Sequence, residues 1–172
     1  PSGAVPQPPC SPVTGKRLDS DGALSLDELQ HFDAFLNEVY DACAAHGIPA
    51  DAAISENGAG QFEINLKHRD DALLACDDAI MLKRAIKAVA QQQNLQASFM
   101  AKPFAEQAGN GLHIHVSVLD EAGNNIFAST PDAPANTLKH AIGGLQRSAK
   151  DSLLLFAPHA NSYRRFVLNA FV

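Results

Sequence analysis

The stretch Ser55–Leu66 reads SENGAGQFEINL, and its second half alternates strictly. Phe62, Ile64 and Leu66 fall on one side of an extended chain, and Gln61, Glu63 and Asn65 fall on the other. That period-two pattern predicts a strand over residues 52–68 with one dry face and one polar face. Gly58-Ala59-Gly60 precedes it as a turn, and a bend there returns Glu56 over the strand that carries Glu63. GNGLHIHVSV, Gly109–Val118, repeats the pattern: Ile114, Val116 and Val118 share one face, and His113, His115 and Ser117 share the other. A strand is predicted over Leu112–Leu119 after a Gly-rich loop, with its two histidines pointing the same way roughly 7 Å apart.

Outward from these segments the period changes to that of helices. Ser25 and Glu28 have capping-box spacing, and Leu26, Leu29, Phe32, Leu36, Val39 and Cys43 recur at helical intervals until Gly47 and Pro49. One helix is expected over about residues 26–46. Asp70 and Asp71 suit a second helix start, and Leu74, Met81, Ala85, Ile86 and Val89 form its stripe to about Gln93. ASFMAKPF, Ala97–Phe104, predicts a short strand ending at Pro103. DEAGNN, Asp120–Asn125, predicts a turn before a short segment at Ile126 and Phe127, and a third helix is expected over about Asn136–Ser152. Residues 1–22, rich in Pro, Gly and Ser, read as a loop or lead-in, and residues 23–172 as the domain. The alternation of helices and one-sided strands predicts an α/β or α+β layer with helices on one sheet face and the other face open.

The chain has 172 residues, enough for one domain that buries about 70% of its unfolded surface. Hydrophobic residues make up 46% and charged residues 19%, and no apolar run approaches the roughly 20 residues of a spanning helix, so a soluble protein without a membrane partner is expected. With a net charge of −6 and scattered Lys and Arg, the chain lacks the basic stripe that nucleic acid requires. Three cysteines without a CxxC spacing suit reduced thiols in the cytoplasm. The missing initial Met and the apolar ending RRFVLNAFV lead us to expect a piece of a longer protein.

On the polar face the residue types are two Glu, two His, Ser, Gln and Asn. Hard oxygen donors with one imidazole suit Mg²⁺ or Mn²⁺ better than zinc. Singly, these residues are poor evidence: an HxH pair or a lone Glu63 on a polar-out strand is more often simply solvated, Lys102 is more often an exposed strand end, and Arg164 and Arg165 fit a surface pair.

Taken in order, four segments resemble the catalytic domain of the glutamine synthetase family. ENGAGQFEI (Glu56–Ile64) is similar to its GQ-x-E motif, ASFMAKP (Ala97–Pro103) to ATFMPKP, GNGLHIHVS (Gly109–Ser117) to GSGMHxHxS, and NSYRRFV (Asn161–Val167) to NSYKRL. The resemblance covers about residues 50–172 and adds almost nothing over the first 22. It implies an α+β fold with a largely antiparallel curved sheet, helices on one face, and an active site on the open polar face. It also implies an ATP-dependent ligase that joins the γ-carboxylate of glutamate to an amine through a γ-glutamyl phosphate. In that resemblance Glu56 and Glu63 hold a metal ion near the glutamate and ammonia end, and His113 holds the metal that bridges the ATP phosphates. His115 and Ser117 lie along the nucleotide, the Gly109 backbone approaches glutamate, and Arg165 pairs with a carboxylate or the transferred phosphoryl group. Mg²⁺ or Mn²⁺ is the implied cofactor, ATP the co-substrate, and a homo-oligomeric ring the implied assembly.

Two departures bear on the amine. Phe171 stands where the ammonia-using enzymes place an acid on a mobile flap, and Ala108 stands where the family usually has an Asn that contacts glutamate. A Phe neither attracts ammonium nor accepts its proton, so the resemblance favours the γ-glutamylputrescine and γ-glutamylpolyamine synthetase branch. An ammonia-using glutamine synthetase, or a non-enzymatic homologue that retains the fold, is the alternative. The family's ExE acids and later Arg-rich segments lie outside this sequence, so the 172 residues alone are expected to be inactive.

Overall fold

Asp71 opens the longest element of the structure, a computed structural model that describes residues 7–19, 22–129 and 135–167. Its carboxylate accepts hydrogen bonds from the backbone N–H groups of Leu73 (2.8 Å) and Leu74 (3.0 Å), satisfying two of the donors that a helix start leaves unpaired. The helix it caps, α3, runs Ala72–Gln92. Before it in the chain come α1 (Leu26–His31), α2 (Asp33–Ala45), β1 (Ala50–Ser55) and β2 (Phe62–Leu66); after it come α4 (Asn136–Ser148), α5 (Leu153–Phe156) and a 3-10 turn at Ala160–Arg165. The described residues fall into two units, divided after Asn110.

The first unit holds the core. Phe35, Leu36, Val39 and Cys43 of α2 pack with Leu82, Val89 and Ala90 of α3 and with Ile48. Ala50 and Ala53 of β1 and Ile64 and Leu66 of β2 close the cluster from below, so both helices cover one face of the β1–β2 pair. The strands are antiparallel, with Ala53 opposite Ile64, Ile54 opposite Glu63 and Ser55 opposite Phe62, and an irregularity between Ala50 and Ala53. The strand expected over residues 52–68 is thus two strands joined by a turn, with Ile64 and Leu66 facing the core as the alternation predicts, and the fold is α+β with a small antiparallel sheet.

Several expectations need correction. The single helix over residues 26–46 is two, because Phe32 leaves helical geometry (φ −107°, ψ 17°). That turn buries its ring to 2% exposure against Phe62, with centroids 5.3 Å apart. On α3 Val89 is buried and Ala85 and Ile86 pack against the core as expected, joined by Asp78, Leu82 and Ala90, but Leu74 and Met81 are 41% and 38% exposed. The segments Ala97–Phe104 and Leu112–Leu119 enter no ladder among the described residues apart from an isolated bridge of Leu119 to Asn125. A strand needs a neighbour to satisfy its backbone, and alternation alone supplies none. In the second of these segments Leu112, Ile114 and Val116 are 79%, 75% and 67% exposed.

The described part of the lead-in, residues 7–19, is tied together by backbone hydrogen bonds. Ser11 and Lys16 close a tight turn (2.8 Å, N–H to carbonyl), and Leu18 donates to the Pro9 carbonyl (3.0 Å). In the second unit Asp120 organises the expected turn, accepting from the backbone N–H of Ala122 (2.9 Å) and Asn124 (2.8 Å). The Asn124 backbone and side chain together hold the Asp120 carboxyl below its ordinary range. The third helix ends at Ser148 rather than near Ser152, and α5 follows separately. No helix among the described residues is long and apolar enough to cross a membrane.

Candidate active site

Glu56 follows directly on β1, and its backbone N–H donates to the Gln61 carbonyl (2.8 Å), which closes the hairpin one pair beyond Ser55–Phe62. Because opposite residues of an antiparallel pair share a face, this register places Glu56 and Gln61 on the face of Ile54 and Glu63, away from the core. Both Glu56 and Glu63 are half-buried residues. The predicted pairing of the two acids over one strand is therefore present in the fold of the hairpin itself.

The turn between them is fixed from three sides. Gln61 Oε1 accepts from the Gly58 N–H (2.8 Å), and Gln61 N–H donates to the Gly58 carbonyl (2.9 Å). Gly60 adopts φ +70°, a left-handed conformation that glycine enters without strain, and an added Cβ would lie 2.4 Å from Pro9 Cγ. Glu28, only 7% exposed, accepts from the Gly60 N–H (3.0 Å) and is hydrogen-bonded to the Ser55 hydroxyl. The capping box expected at Ser25 is half formed: Ser25 Oγ accepts from the Glu28 N–H (3.2 Å), while the Glu28 carboxylate reaches into the hairpin.

Gln61 also reaches forward along the chain. Its Nε2 donates to the Gly109 carbonyl (3.1 Å) and to Asn110 Oδ1 (2.8 Å). Asn110 in turn donates from Nδ2 to the Met100 carbonyl (2.7 Å) and from its backbone to the Ala101 carbonyl (2.8 Å). Lys102 is half-buried rather than an exposed strand end, and its Nζ donates to the Gln107 carbonyl. Sequence reasoning does not single out Glu28, Gln61 or Asn110 as site residues. Gln61 is legible there only as a polar-face residue, since its partners lie 48 and 49 positions away.

The second unit gathers a different pair. Next to Gly111, the position a Cβ would take lies 3.6 Å from both His113 Nε2 and Arg165 Nη1, so the imidazole and the guanidinium converge on one point. Arg165 is half-buried at the end of the 3-10 turn and Arg164 is exposed, which separates two arginines that are equivalent in the sequence. His113, His115 and Ser117 are exposed and alternate along the extended segment. Phe171 lies outside the described residues.

The sequence matches the family described as glutamine synthetase, catalytic domain, over residues 2–172. The chain belongs to the glutamine synthetase family. Among relatives, it is 42% identical to the γ-glutamylputrescine synthetase PuuA of Escherichia coli (strain K12) over 160 residues, which cover 93% of this chain and 34% of that protein. It is 42% identical to a glutamate–isopropylamine ligase of a Pseudomonas species over 69% of this chain and 26% of that protein. A glutamine synthetase of Halobacterium salinarum is 36% identical over 76% of this chain and 29% of that protein. The structure of the ADP complex of GmaS superposes with a TM-score of 0.78 at 31% identity, covering 90% of this chain and 36% of that one. The chain thus spans about a third or less of the curated glutamine synthetase relatives it matches.

Among the described residues no three His, Cys, Asp or Glu side chains form a group that could hold a metal ion. The donor chemistry still fits a hard cation: Mg²⁺ is commonly bound by one or two carboxylates, with phosphates and waters completing its shell, and Glu56 and Glu63 on one hairpin face offer two.

Proposed function

We propose that the protein carrying this chain is an ATP-dependent ligase that joins the γ-carboxylate of glutamate to an organic amine through γ-glutamyl phosphate. The observation that carries this reading is the β1–β2 hairpin, which sets Glu56 and Glu63 on one polar face opposite the core. A γ-carboxylate oxygen of glutamate attacks the terminal phosphorus of ATP and ADP departs. The amine nitrogen then attacks the acyl carbon, phosphate leaves, and the nitrogen gives up a proton.

This chemistry brings several anions together, and the residues of the chain answer it with charge. Glu56 and Glu63 would hold Mg²⁺ or Mn²⁺ at the glutamate end and His113 a second ion on the ATP phosphates; the metal supplies neutralisation of the phosphate charge. Arg165, beside His113 at Gly111, faces the transferred phosphoryl group or a carboxylate. His115 and Ser117 line the nucleotide, and the Gly109 backbone contacts glutamate. The larger antiparallel sheet of the family, the homo-oligomeric ring and the cytoplasmic setting belong to the same reading.

The choice of an organic amine is supported by the relatives named for putrescine and isopropylamine, and by Phe171 in the place of the flap acid. The second reading, ammonia as the nitrogen donor, is supported by the glutamine synthetase of Halobacterium salinarum at 36% identity. The test is a panel of amines with full-length protein, glutamate, ATP and Mg²⁺, scored by ADP release. Putrescine, another polyamine or a monoamine should outperform ammonium, and the reverse order overturns the choice of amine. Glu63→Ala should lower turnover by about 10²-fold or more, as loss of a group that stabilises transition-state charge does, with the fold intact by circular dichroism. Retained activity would remove Glu63 from the metal site.

A further inference from the structure

Gln61 commits every hydrogen-bonding group it has to one junction. Its backbone ties the hairpin turn at both ends, through the Glu56 N–H to its carbonyl (2.8 Å) and from its own N–H to the Gly58 carbonyl (2.9 Å). The side-chain oxygen faces a donor, the Gly58 N–H at 2.8 Å, so the amide NH₂ must face acceptors. It meets two of them, the Gly109 carbonyl at 3.1 Å and Asn110 Oδ1 at 2.8 Å. The Asn110 orientation is fixed in the same way, because its Nδ2 faces the Met100 carbonyl at 2.7 Å. Neither amide can flip without setting like against like. The result is a single polar bridge from the acid-bearing turn to the loop that ends at Gly109 and Asn110.

We infer that Gln61 is a positioning residue that sets the Gly109 segment against the Glu56 and Glu63 face, and that it thereby governs glutamate affinity rather than nucleotide affinity. This rests on the ligase reading above, in which the Gly109 backbone contacts glutamate and the two acids hold the metal at the glutamate end. A bridge of hydrogen bonds at this depth is sensitive to loss of one partner, because the half-buried Gly109 carbonyl loses the side-chain donor that Gln61 supplies. Asn110, whose side chain accepts from Gln61 and donates to Met100, transmits the constraint to the Lys102-bearing segment.

The experiment uses the full-length protein, with ADP release measured as a function of glutamate and, separately, of ATP. Gln61→Met, of similar length but without donors or an amide acceptor, should raise the KM for glutamate about tenfold, the effect of losing about 1.4 kcal/mol of binding, and leave the KM for ATP within about twofold. Gln61→Glu keeps the acceptor for the Gly58 N–H but turns a carboxylate towards two oxygens, so it should raise the glutamate KM further. If Gln61→Met does not accumulate folded, Gln61→Glu decides the same question. An unchanged glutamate KM in an active variant, or equal rises for glutamate and ATP, overturns the inference while the ligase reading stands. A wild-type protein that shows no glutamate-dependent ADP release with any amine overturns both.

Discussion

Glu28 holds a carboxylate at 7% exposure between the Gly60 N–H and the Ser55 hydroxyl. Buried charges persist in a fold only where hydrogen bonds replace their hydration, and here both oxygens are used. Glu28→Ala leaves the Gly60 N–H without its acceptor and should cost about 2–3 kcal/mol of unfolding free energy, read as a shift of the urea midpoint. Glu28→Gln, which retains an acceptor oxygen, should cost less than the alanine variant; the opposite order would show that the charge is not held by these bonds. At this scale the sequence exposes residue types and motifs: Glu56, Glu63, His113 and Arg165 are nameable without any coordinates. It offers Glu28 only as a helix cap and Gln61 only as a polar-face residue, because their partners in the hairpin and beyond are tens of positions away and residue type carries no record of them.

Helix α3 shows what periodicity can and cannot resolve among elements. Asp71 as its cap and the end near Gln92 follow from local chemistry, and both are expected from the sequence. The sequence pattern finds Ala85, Ile86 and Val89 on the packed side but puts Leu74 and Met81 there in place of Leu82, because neighbouring helical stripes in a sequence rich in Leu and Ala differ little in apolar content. Leu82→Ala should therefore cost about 2–5 kcal/mol, as truncation of a fully packed Leu does, whereas Leu74→Ala should cost under about 1 kcal/mol. Similar losses at both positions by chemical denaturation would contradict the packing. The break at Phe32 is hidden for a related reason: only the ring of Phe62, brought up by β2, gives Phe32 a reason to leave the helix.

For the whole molecule, the buried cluster of α2, α3 and the hairpin belongs to the first unit, and the helices of the second unit contain no buried residue. Burial raises the Cys43 thiol above its ordinary pKa, and burial followed by the nearby Asp51 and Cys43 raises the Tyr40 phenol. The folded chain then holds these protons more tightly than the unfolded one. The associated stability is complete below the unfolded thiol value of about 8.5 and is lost as pH rises through the raised folded value. Urea midpoints should fall above pH 8.5 or so in the wild type, and Cys43→Ala should flatten the thiol part of that fall; a wild-type midpoint independent of pH from about 8 to 10 would refute it. The α+β layering is legible as a pattern, whereas strand neighbours are a property of distant chain and are not. In the segment Leu112–Val118, three large apolar side chains and a run of backbone groups outside any ladder stand together in the described residues. Such a segment is a template for cross-β association, so these 172 residues expressed by themselves would be prone to inclusion bodies. A charged replacement at Val116 is the first remedy for making soluble material.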